Sequence, residues 1–211
     1  MFDKILVVAA HADDEILGCG GSLVELTKSS RNNPEIVVLC CDNEERMCKA
    51  GKWLMLEKEY YHTCDFLKYN GKKFYKFYRE IIIYLEDIME QVKPDTVFYH
   101  FADNHQDHKV VNEIMKIVCR RFNGNMFEYL ANMPSVGVEF YPNFYVDITK
   151  VWEEKKSALQ EYNDRINENK TPLDIGSLEN WHRYLGISVG VKYAEAFKMV
   201  KGVRKEKNNG C

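Results

Sequence analysis

The chain has 211 residues, 45% hydrophobic and 13% aromatic, which suits one folded domain with a sizeable core and excludes a disordered polymer. Lys and Arg number 29 against 32 Asp and Glu, so no strong field of either sign recommends nucleic acid or an anionic membrane as a partner. Seven cysteines without CxxC spacing read as reduced, and no run of 18 apolar residues is present, so a soluble, cytoplasmic protein with no transmembrane segment is expected.

In chain order, Ile5-Leu6-Val7-Val8-Ala9-Ala10 predicts a buried strand. Directly after it, His11, Asp13, Asp14 and Glu15 place one imidazole and three carboxylates within five residues. Gly18-Cys19-Gly20-Gly21 reads as the turn into a helix from Ser22, and Ile36 to Cys41 as a second strand, which completes a βαβ unit with parallel strands. A long helical region is expected after Asp42-Asn43-Glu44, reaching Tyr60 and Tyr61. Phe66-Leu67 is a candidate third strand, and Asn70-Gly71 a turn. An apolar stripe predicts a helix from Phe74 to Val92, stopped by Pro94, then a strand over Thr96 to Tyr99 and a helix over 107–121. Met126 to Leu130 and Phe144 to Thr149 read as strands, Val151 to Asn167 as a helix, 168–180 as a loop over the site, and Trp181 to Val200 as alternating turn and helix. One domain over 1–200 with a disordered tail at 201–211 is expected. The alternation gives an α/β fold, a Rossmann-like three-layer sandwich with a mostly parallel sheet.

The second cluster is His100-Phe101-Ala102-Asp103-Asn104-His105-Gln106-Asp107-His108, which holds three of the six histidines just past a strand. An isolated acidic pair at a strand-to-helix junction ordinarily caps the helix. Two His/Asp clusters at strand ends along the same sheet edge read instead as a site. Desolvated charges cost several kcal/mol each unless something positive sits among them, and a divalent metal is the simplest candidate.

His11-Ala12-Asp13-Asp14-Glu15 after a first strand, paired with His105-Gln106-Asp107-His108 after a later one, resembles the LmbE/PIG-L family of zinc-dependent N-deacetylases. A weaker likeness through Phe127-Glu128-Tyr129, Val146 to Thr149, Lys155 or Lys156, and Tyr193 to Phe197 extends it over nearly the whole chain. Catalytic zinc takes three nitrogen or oxygen ligands and keeps a position for water. His11, Asp14 and His108 supply that set, and Asp13 is then the general base on the attacking water; the resemblance implies the same roles. It also implies that His105, protonated and held by Asp107, supports the oxyanion and the departing amine. Glu15 is expected to cap the helix or to support these residues from behind. The chain departs from the family pattern at Ala12 and Gln106, where proline is usual or common. Tyr162 stands at the usual late histidine, and the family's arginine has only Arg46, Lys49 and Lys52 as candidates. Arg46, Tyr162 and His182 are the candidate substrate contacts.

The expected reaction is therefore hydrolysis of an N-acetyl group on a small amino sugar, free or linked to a nucleotide or lipid. Two rivals stand beside it. A Rossmann nucleotide-binding protein would use the Gly18–Gly21 cluster with Asp42, although these glycines come late after the strand. A catalytically silent metal- or sugar-binding module would have no need of Asp13.

Overall fold

The computed structural model of the protein describes residues 2–28, 33–68, 73–131, 136–163 and 174–203. Its strands are β1 (Ile5–His11), β2 (Glu35–Cys40), β3 (Tyr61–Thr63), β4 (Thr96–His100), β5 (Asn125–Tyr129), β6 (Phe144–Asp147) and β7 (Ala194–Lys201). They form one sheet in the order β3-β2-β1-β4-β5-β7-β6. The first five are parallel, whereas β7 runs antiparallel to both β5 and β6. β1 lies between β2 and β4, so the strand order reverses at the β1/β4 pair, where open parallel sheets leave a crevice at their carboxyl ends.

Helices α1 (Asp14–Thr27), α2 (Glu44–Trp53), α3 (Asp65–Lys68), α4 (Tyr78–Val92), α5 (Gln106–Val118), α6 (Trp152–Gln160) and α7 (Ile175–Ser188) cover the sheet. Alternate residues of β1 feed two separate cores. Ile5, Val7 and Ala9 pack with residues of α1, α2 and α6, while Leu6, Val8 and Ala10 pack with Ile81, Leu85, Ile114 and Met115 of α4 and α5. Burial on both faces explains why β1 reads as an unbroken apolar run, and the three-layer α/β sandwich is the one expected.

Several elements differ from the sequence reading. The third strand is Tyr61–Thr63, beside β2, and Phe66-Leu67 belongs to α3. The helix after β2 stops at Trp53, and a 3-10 turn forms the first part of the predicted 74–92 helix. Residues 174–180 are not loop: α7 starts at Ile175, capped by the Asp174 carboxylate, which accepts from Ser177 N–H at 3.1 Å. Ala194–Lys201, read as turn and helix, is the strand β7. The Asn70-Gly71 turn, residues 164–173 and residues 204–211 lie outside the described residues.

The glycine cluster is not a turn into a helix; it lies inside α1 and allows close approach. A Cβ at Gly18 would fall within the Tyr129 ring, whose hydroxyl donates to Val8 O at 2.9 Å, and one at Gly21 would stand 2.8 Å from Ile148. This approach seats a buried ion pair against the helix. Lys155 Nζ lies 2.5 Å from Glu195 Oε1 and donates to Leu17 O at 2.8 Å. Glu195 also accepts the N–H groups of Gly21 at 2.9 Å and Ser22 at 2.7 Å, so both charges are paired and hydrogen-bonded to backbone.

Candidate metal centre and active site

Both predicted clusters arrive at the carboxyl ends of β1 and β4, at the point where strand order reverses. His11 ends β1, Asp13 occupies the N-cap position of α1, and Asp14 and Glu15 form its first turn. His105 caps α5, whose first turn carries Asp107 and His108.

Asp14 Oδ2 is the centre of the arrangement. It accepts the His11 N–H at 2.8 Å and stands 3.2 Å from His11 Nδ1 and 3.4 Å from His108 Nε2. Ligand atoms held tetrahedrally at roughly 2.0–2.1 Å from a zinc ion are separated from one another by about 3.3–3.4 Å. These two edges match that spacing. The far side of each imidazole is also fixed, because His11 Nε2 lies 3.2 Å from Asp107 Oδ2 and His108 Nδ1 lies 2.7 Å from Asp103 Oδ2. With an ion bound, each carboxylate would keep one ring N–H and leave the opposite nitrogen's lone pair for the metal, the arrangement that orients histidine on a metal. His11 and His108 thus each set one ring nitrogen beside Asp14 Oδ2.

His100 is the alternative ligand, since Asp14, His100 and His108 form one close donor group and His11, His105 and His108 another. Its Nε2 accepts the Ala10 N–H at 3.0 Å, so the lone pair that faces Asp14, 3.3 Å away, is already engaged. Burial pulls this imidazole down to about 4 and keeps it neutral, stacked 3.9 Å from the His108 ring. His100 thus walls the site.

The electrostatics follow from the same neighbours. Burial alone would lower His11, but hydrogen bonds to Asp107 and Asp14 overrule it and lift the imidazole to about 9. His108, opposed by burial in the same way, rises to about 10 through Asp14 and Asp103. Burial would raise Asp14, but the charge and hydrogen bond of the His108 imidazole help to hold the carboxyl well below its ordinary range.

The structure does not bring Asp107 to His105. The Asp107 carboxylate sits on His11, and His105 Nδ1 instead accepts the Asp107 backbone N–H at 3.2 Å. Burial, with the neighbouring His108 and His11, lowers the pKa of His105. The Asp107 carboxylate thus holds His11, and not His105 as expected. The partner of His108, Asp103, was visible only as one more aspartate of the cluster; no spacing rule singles it out.

Asp13 has φ 126° and its side chain does not cap α1. Glu15 is fully buried, its Oε2 accepts the Asp13 N–H at 3.0 Å, and burial, with the charges of Asp13 and Asp14, pushes its carboxyl to about 8. Tyr162 is buried in the core behind them, close enough that Glu15 and Asp13 help burial to raise its phenol. Arg46 lies in the first turn of α2 and lines a cavity of about 190 Å³ with Asn43, Glu45, Lys49 and Glu161. His182 is not brought to the cluster: it is buried in α7 against the Trp152 ring, with Nδ1 3.0 Å from Ala194 O.

The two strand-end loops gather carboxylates and imidazoles at one edge of an open α/β sheet, with donor groups that could hold a metal ion. The model of the PIG-L family, GlcNAc-PI de-N-acetylase, matches residues 6–119, and the chain belongs to that family as a deacetylase. The diacetylchitobiose deacetylase of Thermococcus kodakarensis is 24% identical, covering 95% of this chain and 84% of its own. The solved N,N'-diacetylchitobiose deacetylase of Pyrococcus horikoshii has a TM-score of 0.68 at 20% identity, over 94% of this chain and 84% of that one. The fold alone does not select the reaction: GalB, the 4-carboxy-2-hydroxymuconate hydratase of Pseudomonas putida KT2440, has a TM-score of 0.75 at 16% identity, over 97% and 99%. Against the nucleotide-binding rival, the glycines are inside α1 and carboxylates occupy the strand end where a pyrophosphate would lie.

Proposed function

We propose that this protein hydrolyses the N-acetyl group of a small amino sugar, with zinc held by His11, Asp14 and His108. The observation that carries this reading is Asp14 Oδ2 set between His11 Nδ1 and His108 Nε2, each imidazole backed by its own carboxylate. A zinc ion bound there supplies Lewis acidity, which polarises the amide carbonyl and acidifies water.

The chain's own residues complete the reaction. Asp13, released from capping, takes the proton of the attacking water. His105, neutral, donates its Nε2–H to the carbonyl oxygen as negative charge develops there. Because His105 holds no second proton, the proton for the departing amine returns from Asp13. Asp107 and Asp103 act through His11 and His108. Arg46, beside its cavity at the start of α2, is the contact proposed for the part of the substrate beyond the N-acetyl group.

Among the described residues no helix is long and apolar enough to cross a membrane. None of the six described cysteines forms a disulfide, which supports the proposed cytoplasmic location. The test is a panel of free, nucleotide-linked and lipid-linked N-acetyl sugars, offered to zinc-loaded protein and assayed for freed amine and acetate. Equimolar release from at least one substrate class, abolished by chelation and by Asp13→Asn, is expected. Release that survives both treatments would overturn the proposal.

A further inference from the structure

Three acids in succession open α1, and each does something different. A helix ordinarily begins with an extended N-cap residue whose side-chain oxygen accepts an N–H two or three residues on. Asp13 does neither: its backbone lies at φ 126°, ψ −29°, where an L-residue rarely settles, and its carboxylate makes no cap. Asp14 folds back onto the His11 N–H. Glu15 also reaches back, to the Asp13 N–H at 3.0 Å, from a side chain with no solvent exposure.

The Glu15 contact resembles the returning half of a capping box, in which an acid in the first turn satisfies the N-cap N–H. Here it does so for a residue whose own side chain has been withdrawn from capping. The Asp13 carbonyl meanwhile accepts from Ile16 N–H at 3.0 Å and Leu17 N–H at 2.8 Å. The Asp13 peptide is thus gripped on its N–H by Glu15 and on its C=O by the helix.

We propose that Glu15 is a positioning residue: its Oε2 clamps the Asp13 N–H and holds the strained backbone that orients the Asp13 carboxylate for proton transfer. This rests on the reading of Asp13 as proton acceptor. A merely structural cap would change stability and leave turnover alone, whereas a clamp on the proton acceptor changes kcat at constant KM, since misplacing a reacting group slows the step and not the binding.

The experiment compares Glu15→Leu, Glu15→Gln and Asp13→Asn in the zinc-loaded protein, with N-acetylglucosamine or the best substrate of the panel. It reads kcat, KM, zinc per chain and hydrogen exchange at the Asp13 amide. Glu15→Leu is expected to lose roughly 10- to 100-fold in kcat with KM and zinc unchanged and with the Asp13 amide exchanging faster. Glu15→Gln keeps an acceptor oxygen and recovers most of the kcat and the protection. Wild-type kcat in Glu15→Leu, or a Glu15→Gln variant as impaired as Glu15→Leu, overturns the proposal. Should Glu15→Leu not fold, loss of Asp13 amide protection in Glu15→Gln does so alone. Turnover surviving in Asp13→Asn would instead sink the reading of Asp13, a separable result.

Discussion

Two places in this molecule bury charge, and they treat it differently. Against α1, Lys155 and Glu195 balance each other, and backbone groups of Leu17, Gly21 and Ser22 add hydrogen bonds to both charges. At the carboxyl ends of β1 and β4, Asp14 is ringed by the imidazoles of His11, His100 and His108, beside a strained Asp13 and a Glu15 with one oxygen unpartnered. A closed network of this kind is architecture; an open one, completed by something from outside, is a site.

The largest effect should come from breaking the closed network. Lys155→Met leaves the Glu195 charge buried, and urea unfolding should show a loss of about 3–5 kcal/mol. Replacing both partners by apolar residues should cost much less than the sum of the single changes.

Glu15 tests the open network by pH. Its folded pKa of about 8 lies above the ordinary 4.5, so the folded state holds a proton that the unfolded state gives up, and stability falls as pH rises through that window. Glu15→Gln does not titrate there. Its melting temperature, followed from pH 4 to 9, should gain on the wild type throughout the rise and level off above about pH 8.

Smaller again is the support around the metal. Asp103→Asn loosens the imidazole of His108, and competition against a chelator should show zinc held roughly 10- to 100-fold more weakly. In the metal-free protein, the raised His11 and His108 give stability that is complete below pH 6.5 and lost as pH rises through about 9 and 10. Zinc takes the place of those protons, so calorimetry in buffers of different ionisation enthalpy should show proton release on binding and an affinity that climbs over the same range. The control is the exposed Arg120–Glu86 pair at 2.8 Å, where Arg120→Ala should cost no more than about 1 kcal/mol.

The elements legible in the sequence are those whose signal is local. β1 and β4 are buried on both faces and read as apolar runs, and α4 carries its stripe of Ile81, Leu85 and Ile88. β3 has only three residues, defined by its pairing with β2, and β7 gains its identity from β5 on one side and β6 on the other. Neither has a periodicity strong enough to announce it.

The sequence by itself determined the chemistry available: imidazoles and carboxylates concentrated after two strands, and hence a place where positive charge is wanted. The tertiary structure alone decided the pairing. Asp107 serves His11, 96 residues away, and not the adjacent His105; His100 commits its nitrogen to Ala10; and the glycines of α1 admit Tyr129 and Glu195. A sequence fixes which groups a loop carries, but the partner of a buried group is set by distance and desolvation, and those exist only once separate strands lie side by side.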